Sequence, residues 1–134
     1  MTITVTITGL QVVSTGISPS VGTGTETLIG IERIALVGGD SANRLDAAMA
    51  SVPVILLGGK GNDTLIGSNL NDVLVGGSRL ATPTTPGGDG TDSLTGGSGI
   101  DTADNDPLDS RSDIENVMDH ASVFIGLPSW LDLI

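Results

Sequence analysis

The sequence predicts an all-β chain wound as a parallel β-helix, and three observations carry that prediction. A nine-residue period runs through its middle, complete in Gly58–Ile66 (Gly-Gly-Lys-Gly-Asn-Asp-Thr-Leu-Ile) and again in Gly87–Thr95 (Gly-Gly-Asp-Gly-Thr-Asp-Ser-Leu-Thr). Imperfect copies stand in register at 67–75 and 96–104. Each copy ends in three residues whose alternation puts Leu65, Leu74 or Leu94 on one face and Thr64, Ile66, Ser93 and Thr95 on the other. Finally, 20 glycines accompany one Phe, one Trp and no Tyr at a mean hydropathy of +0.26. Such a chain can bury small branched aliphatics in a thin repetitive core but cannot fill the centre of a globule.

Each place in the period has a mechanical reason. Glycine at places one, two and four lets the turn adopt positive φ and lets carbonyls of neighbouring turns approach one point. The aspartate at place six (Asp63, Asp72, Asp92, Asp101) stands where turn meets strand, within reach of whatever those carbonyls surround. Oxygen-only donors suit a hard cation, and calcium tolerates an irregular cage better than magnesium.

Taken in order, Thr2–Thr8 alternates threonine with branched aliphatics and reads as a first strand. Residues 1–20 form an N-terminal strand and cap, with a turn at Ser18-Pro19-Ser20. Val21–Ile29 has the repeat's shape with glutamate in place of aspartate, a decayed copy whose turn carries no ion. Ile34–Val37 gives a strand, and Gly38–Asp46 restores the register with Asn43 at place six. Leu28 and Leu45 extend the inner ladder. Residues 47–57 spend eleven positions on one half-coil, with a helical turn at Ala47–Ala50 and a strand from Val52. Residues 76–86 are counted as a second half-coil of that length, lifted off the stack by Pro83 and Pro86. Residues 105–134 close the fold: an acidic loop around Pro107, a last strand at Asp113–Val117, and the segment Val123–Ile134 covering the open end.

Residues 21–104 resemble the RTX (repeats-in-toxin) calcium-binding nonapeptide family. The resemblance implies a right-handed parallel β-roll with two nonapeptides per coil and ions between turns two motifs apart. It implies one site from the Ser68 and Leu70 carbonyls, Asp72, the Gly87 and Asp89 carbonyls and Asp92. A second would use Gly59, Gly61 and Asp63 with Gly76 and Ser78, although Ala81 stands where an aspartate is expected. Asp101 with Gly96 and Ser98 would meet the same missing aspartate from the other side, and Gly88 and Gly90 with Asp92 would hold a further ion if Asn105-Asp106 or Asp109 closes the cage. Two to four calcium ions are expected.

A formal charge of −11 with five scattered Lys and Arg residues argues against a generic phosphate-backbone binder, so no nucleic-acid partner is expected. There is no cysteine for disulfides or thiolate metal sites, and no run of about 18 apolar residues to span a bilayer. Met1–Leu10 lacks the basic and then apolar pattern of a cleaved leader. An EF-hand starting at Asp104 fails at Leu108 and Asp109. With one histidine, His120, and no nucleophile elbow, the chain is not expected to be an enzyme. The expectation is an extracellular calcium-binding structural or interaction module of one domain, 1–134, that folds on calcium. Its partners would be copies of itself or other domains of a longer chain, and the resemblance implies, as the alternative to a cap at Val123–Ile134, a C-terminal tail serving type I secretion. The alternative is a filament or surface-layer subunit stacked end to end through Met1–Thr8 and Val123–Ile134.

Overall fold

The computed structural model describes the backbone of residues 2–13 and 21–29 together with residues 33–77, 90–125 and 127. Strand β1 (Thr2–Val13) and strand β2 (Val21–Ile29) form an antiparallel pair from Thr2↔Ile29 to Gln11↔Val21, with a register shift between Ile7 and Leu10 where Gly9 interrupts the alternation. The stretch 21–29 is therefore one extended strand rather than a decayed repeat turn. Threonines at 23, 25 and 27 favour the pleat, and β1 supplies a full-length partner, so the ladder outweighs the turn signal of Gly22 and Gly24. Beyond the shift, β1 pairs antiparallel with β3 (Ile34–Val37) through Gln11–Val13. Only Gln11 thus has a paired residue on each side, while Thr2–Ile7, within the stretch expected to stack on another copy, pairs with β2 alone.

From β3 onward every paired strand is parallel. The chain alternates between two sheets through β4 (Arg44–Asp46), β5 (Val54–Leu57), β6 (Thr64–Ile66), β7 (Val73–Val75), β8 (Ser93–Thr95), β9 (Thr102–Asp104), β10 (Ser110–Ser112) and β11 (Asn116–Met118). The first sheet has the order β11-β9-β7-β5-β3-β1-β2 and the second β10-β8-β6-β4. Among the described residues this is an all-β fold with one short helix. The register Leu45↔Leu65↔Leu94 stacks the expected leucines in the second sheet, and Leu36↔Leu56↔Leu74↔Ala103 faces them from the first. With Ile34 and Val54 they form one buried core, and removing a leucine from such a column costs about 2–5 kcal/mol.

The outer faces of the sheets differ. In the first sheet Ala35, Ile55, Leu57 and Val75 point away from the core and make a second buried cluster with Val123, against which Phe124 and Leu127 also pack. Helix α1 (His120–Ile125) therefore lies on the flank of the first sheet, so Val123–Ile125 does not cover the end of the stack as expected, while 126 and 128–134 lie outside the described residues. The reason is chemical: three consecutive strands expose aliphatics outward as well as inward, and covering that face buries more apolar area than covering one edge. The end of the stack is closed differently. Arg111 pairs in register with Leu94 and so takes the next rung of the leucine column. Its guanidinium donates to the carbonyls of Asp104 at 3.2 Å and Asp106 at 2.8 Å.

Because β7 pairs with β9 and β6 with β8, residues 76–92 make a single connection between β7 and β8. No half-coil therefore stands between β7 and β9 or between β6 and β8, as had been expected of 76–86, of which 78–86 lie outside the described residues, and every later repeat moves to the opposite edge from the one expected.

Candidate metal centre

Two columns of turns result. The first edge stacks the turn 38–43, the turn 58–63, the end of the 76–92 connection and the loop 105–109. The second stacks 67–72, 96–101 and 113–115. Neighbouring turns bond through their main chains: Lys60 N–H donates to Gly39 O at 3.0 Å, and Gly59 N–H to Gly76 O at 3.1 Å. Asparagines at place five help, since Asn62 accepts from Thr91 N–H at 3.1 Å and Asn71 from Ile100 N–H at 2.9 Å. Gly59, Gly61, Gly90, Gly97 and Gly99 all have positive φ, as the period requires at places two and four. At Gly90 a Cβ would overlap the carbonyl of Gly61 in the turn stacked on it.

The aspartates at place six form two ladders. On the first edge Asp63 Oδ1 accepts from Asn43 N–H at 2.7 Å, Asp92 Oδ1 from Asp63 N–H at 2.7 Å, and Asp109 Oδ1 from Asp92 N–H at 2.9 Å. On the second, Asp72 Oδ1 accepts from Val54 N–H at 2.8 Å, Asp101 Oδ1 from Asp72 N–H at 2.8 Å, and Glu115 Oε2 from Asp101 N–H at 2.8 Å. Asp72 and Asp92, the pair from which the best-supplied site was expected, thus lie on opposite edges. The neighbours are Asp63 with Asp92 and Asp72 with Asp101.

While Oδ1 is occupied in each ladder, the second oxygens of Asp63, Asp101 and Asp109 are buried with no hydrogen-bond partner. Asp63 is 2% exposed and Asp101 0%. An ionised carboxylate oxygen left so is costly, and nearby charge or coordination must offset it. The glycines at place one show what faces these oxygens. A Cβ on Gly58 would collide with both Asp63 Oδ2 and the carbonyl of Gly76 in the next turn. One on Gly96 would meet Asp101 Oδ2 and the carbonyl of Asp113, and one on Gly76 the Oδ2 atoms of Asp92 and Asp109. Carboxylate oxygens and main-chain carbonyls of successive turns therefore share narrow spaces that only glycine leaves open. Among the described residues no three acidic, histidine or cysteine side chains converge as a ready ligand group. A cation here would draw on carboxylates and carbonyls together, a donor set that fits calcium.

The electrostatics have the same sense. Burial, and then the charges of Asp109, Asp63 and Asp104, push the carboxyl of Asp92 up to about 7 against an opposing bond from Asp63 N–H. Burial and the neighbouring Asp106 and Asp104 push Asp109 up to about 6. Asp63 is raised by burial, and Asp101 by burial and by Asp72, Glu115 and Asp113. Both edges crowd negative charge that a cation would relieve.

Of the residues expected at a site, Gly59, Gly61, Asp63, Gly76, Gly90 and Asp92 meet on the first edge, and Ser68, Leu70, Asp72, Gly96, Ser98 and Asp101 on the second. Ser68 is only 2% exposed, and its hydroxyl donates to Asp72 Oδ2 at 2.9 Å, a use of its side chain that the repeat pattern does not foresee. Ser78, Gly87, Gly88 and Asp89 lie outside the described residues. Asn43, Asp113 and Glu115 join the columns although they were not expected among the ligands; Asn43 already stood at place six, and Glu115 sits one residue before a strand, as each place-six aspartate does. No family model, curated protein or solved structure matches the chain.

Proposed function

We propose that this chain is a calcium-binding module of the RTX type, a parallel β-roll that folds when calcium enters its turns and works outside the cell as a structural or interaction element. The observation that carries the reading is the pair of buried, unpartnered carboxylate oxygens of Asp63 and Asp101, each facing a carbonyl of the next turn across a glycine. Asp63 and Asp92 would hold an ion on the first edge with the carbonyl of Gly76, and Asp72 and Asp101 on the second with carbonyls of the 67–72 and 96–101 turns. Calcium would supply there the positive charge that these stacked carboxylates lack, and binding would become folding free energy. Extracellular calcium, acting in a range of roughly 10⁻⁴ to 10⁻³ M, would fold a chain that stays open inside the cell. That arrangement suits export of an unfolded chain by type I secretion, alone or as one domain of a longer protein. Calcium titration followed by circular dichroism tests the reading: β-structure should be gained with the metal and lost on chelation, and a spectrum indifferent to both would refute it.

A further inference from the structure

Beyond the last nonapeptide, the second edge carries one more set of oxygens. Residues 113–115 contain no glycine and follow none of the repeat's pattern, and they replace a six-residue turn by a three-residue one between β10 and β11. Asp113 is the only non-glycine with positive φ among the described residues, at 52°, a conformation that aspartate tolerates better than most. That backbone turn brings its carbonyl to Gly96, beside the unpartnered Oδ2 of the fully buried Asp101. Ile114, packed against the core, anchors the turn from within. Glu115 stands where the other rungs have aspartate. Its carboxylate accepts the N–H of Asp101 at 2.8 Å, the distance at which Asp101 accepts that of Asp72. The extra methylene of glutamate spans what the shortened turn leaves out. Asp113 and Glu115 are both exposed, so an ion could enter from solvent.

We infer that the closing turn builds a terminal calcium site from the Asp101 carboxylate, the Asp113 main-chain carbonyl and the Glu115 carboxylate, outside the repeats and in addition to those within them. The inference rests on the calcium reading above, and the site would pin β11, and through it α1, to the stack.

Calorimetric titration of the whole chain with calcium chloride tests it. Glu115→Gln should bind one ion fewer per chain than the unaltered protein while keeping the rest. Asp46→Asn, which removes a carboxylate paired with Arg44 in β4 and assigned to no site, should bind the full number. Circular dichroism at saturating calcium checks that Glu115→Gln folds; if it does not, Glu115→Asp, whose shorter reach weakens this site alone, takes its place. An unchanged ion count in these Glu115 variants, or the same loss in Asp46→Asn, would overturn the terminal site and leave the calcium reading standing. A wild-type chain that binds no calcium would overturn both.

Discussion

The two edges of the stack solve one problem with different turns. The second edge runs through two regular six-residue turns, 67–72 and 96–101, whereas the first must absorb the long connection 76–92 before Asp92 is reached. Yet the rungs match: Asp63 N–H to Asp92 Oδ1 spans 2.7 Å and Asp72 N–H to Asp101 Oδ1 spans 2.8 Å. The main chain agrees too, with Ser93 N–H to Asp63 O and Thr102 N–H to Asp72 O both at 2.9 Å. The ladder is thus set by the junction of aspartate and strand, and turn length is free provided the chain returns to that junction. Loop entropy allows this, because lengthening a connection costs little once its ends are fixed.

The largest expected effect removes what both edges would share. Chelation should abolish most β-structure seen by circular dichroism, since stacked carboxylates about 4.8 Å apart repel by roughly 1 kcal/mol per pair even in water. A smaller effect probes each edge separately. Gly58→Ala and Gly96→Ala each drive a methyl into a carboxylate and a carbonyl, and each should cost about 1–3 kcal/mol in calcium-loaded thermal or denaturant unfolding. Equal losses would show the edges to be equivalent; a mild Gly58→Ala would show that the long connection lets the first edge give way.

Acid should separate the edges further. Asp92 and Asp109, raised to about 7 and about 6, bind more protons folded than unfolded. Stability from these raised values is fully present below the ordinary carboxylate range near 3.8 and is lost as pH rises through about 6 to 7. The chelated protein should therefore be more structured at pH 5 than at pH 7.5, and Asp109→Asn should flatten that dependence. Thermal melts across this range provide the check. The smallest effect belongs to Gly39→Ala, where a Cβ meets nothing within 4 Å; stability should stay within about 0.5 kcal/mol.

What the sequence disclosed about this molecule follows from where local rules dominate. Leu45, Leu65, Leu74 and Leu94 are buried as the three-residue alternation requires, each 1% exposed or less. The glycines at places two and four that the structure describes in the two complete repeats, Gly59, Gly61 and Gly90, have the positive φ that the pattern asks for. The assignment of aspartates to edges failed because it depends on parity. Counting 76–86 as a half-coil moved Asp92 beside Asp72, and no local signal distinguishes a half-coil with a bulge from half of one long connection. Val21–Ile29 failed for a related reason, since the twelve-residue partner strand that makes it a hairpin arm is a tertiary fact. The site of α1 was hidden as well. It depends on Ile55, Leu57 and Val75 facing outward together, which is visible only once β5 and β7 are known to be neighbours.

Calcium counting on a set of aspartate variants is the most direct test of edge pairing. If Asp63 shares an ion with Asp92, and Asp72 with Asp101, the double variant Asp63→Ala/Asp92→Ala should lose no more ions than either single one, and Asp72→Ala/Asp101→Ala no more than Asp101→Ala alone, which also removes the terminal ion. Asp72→Ala/Asp92→Ala, drawn from opposite edges, should lose the sum of its two singles. Additive losses within one edge, together with a shared loss between Asp72 and Asp92, would contradict the account.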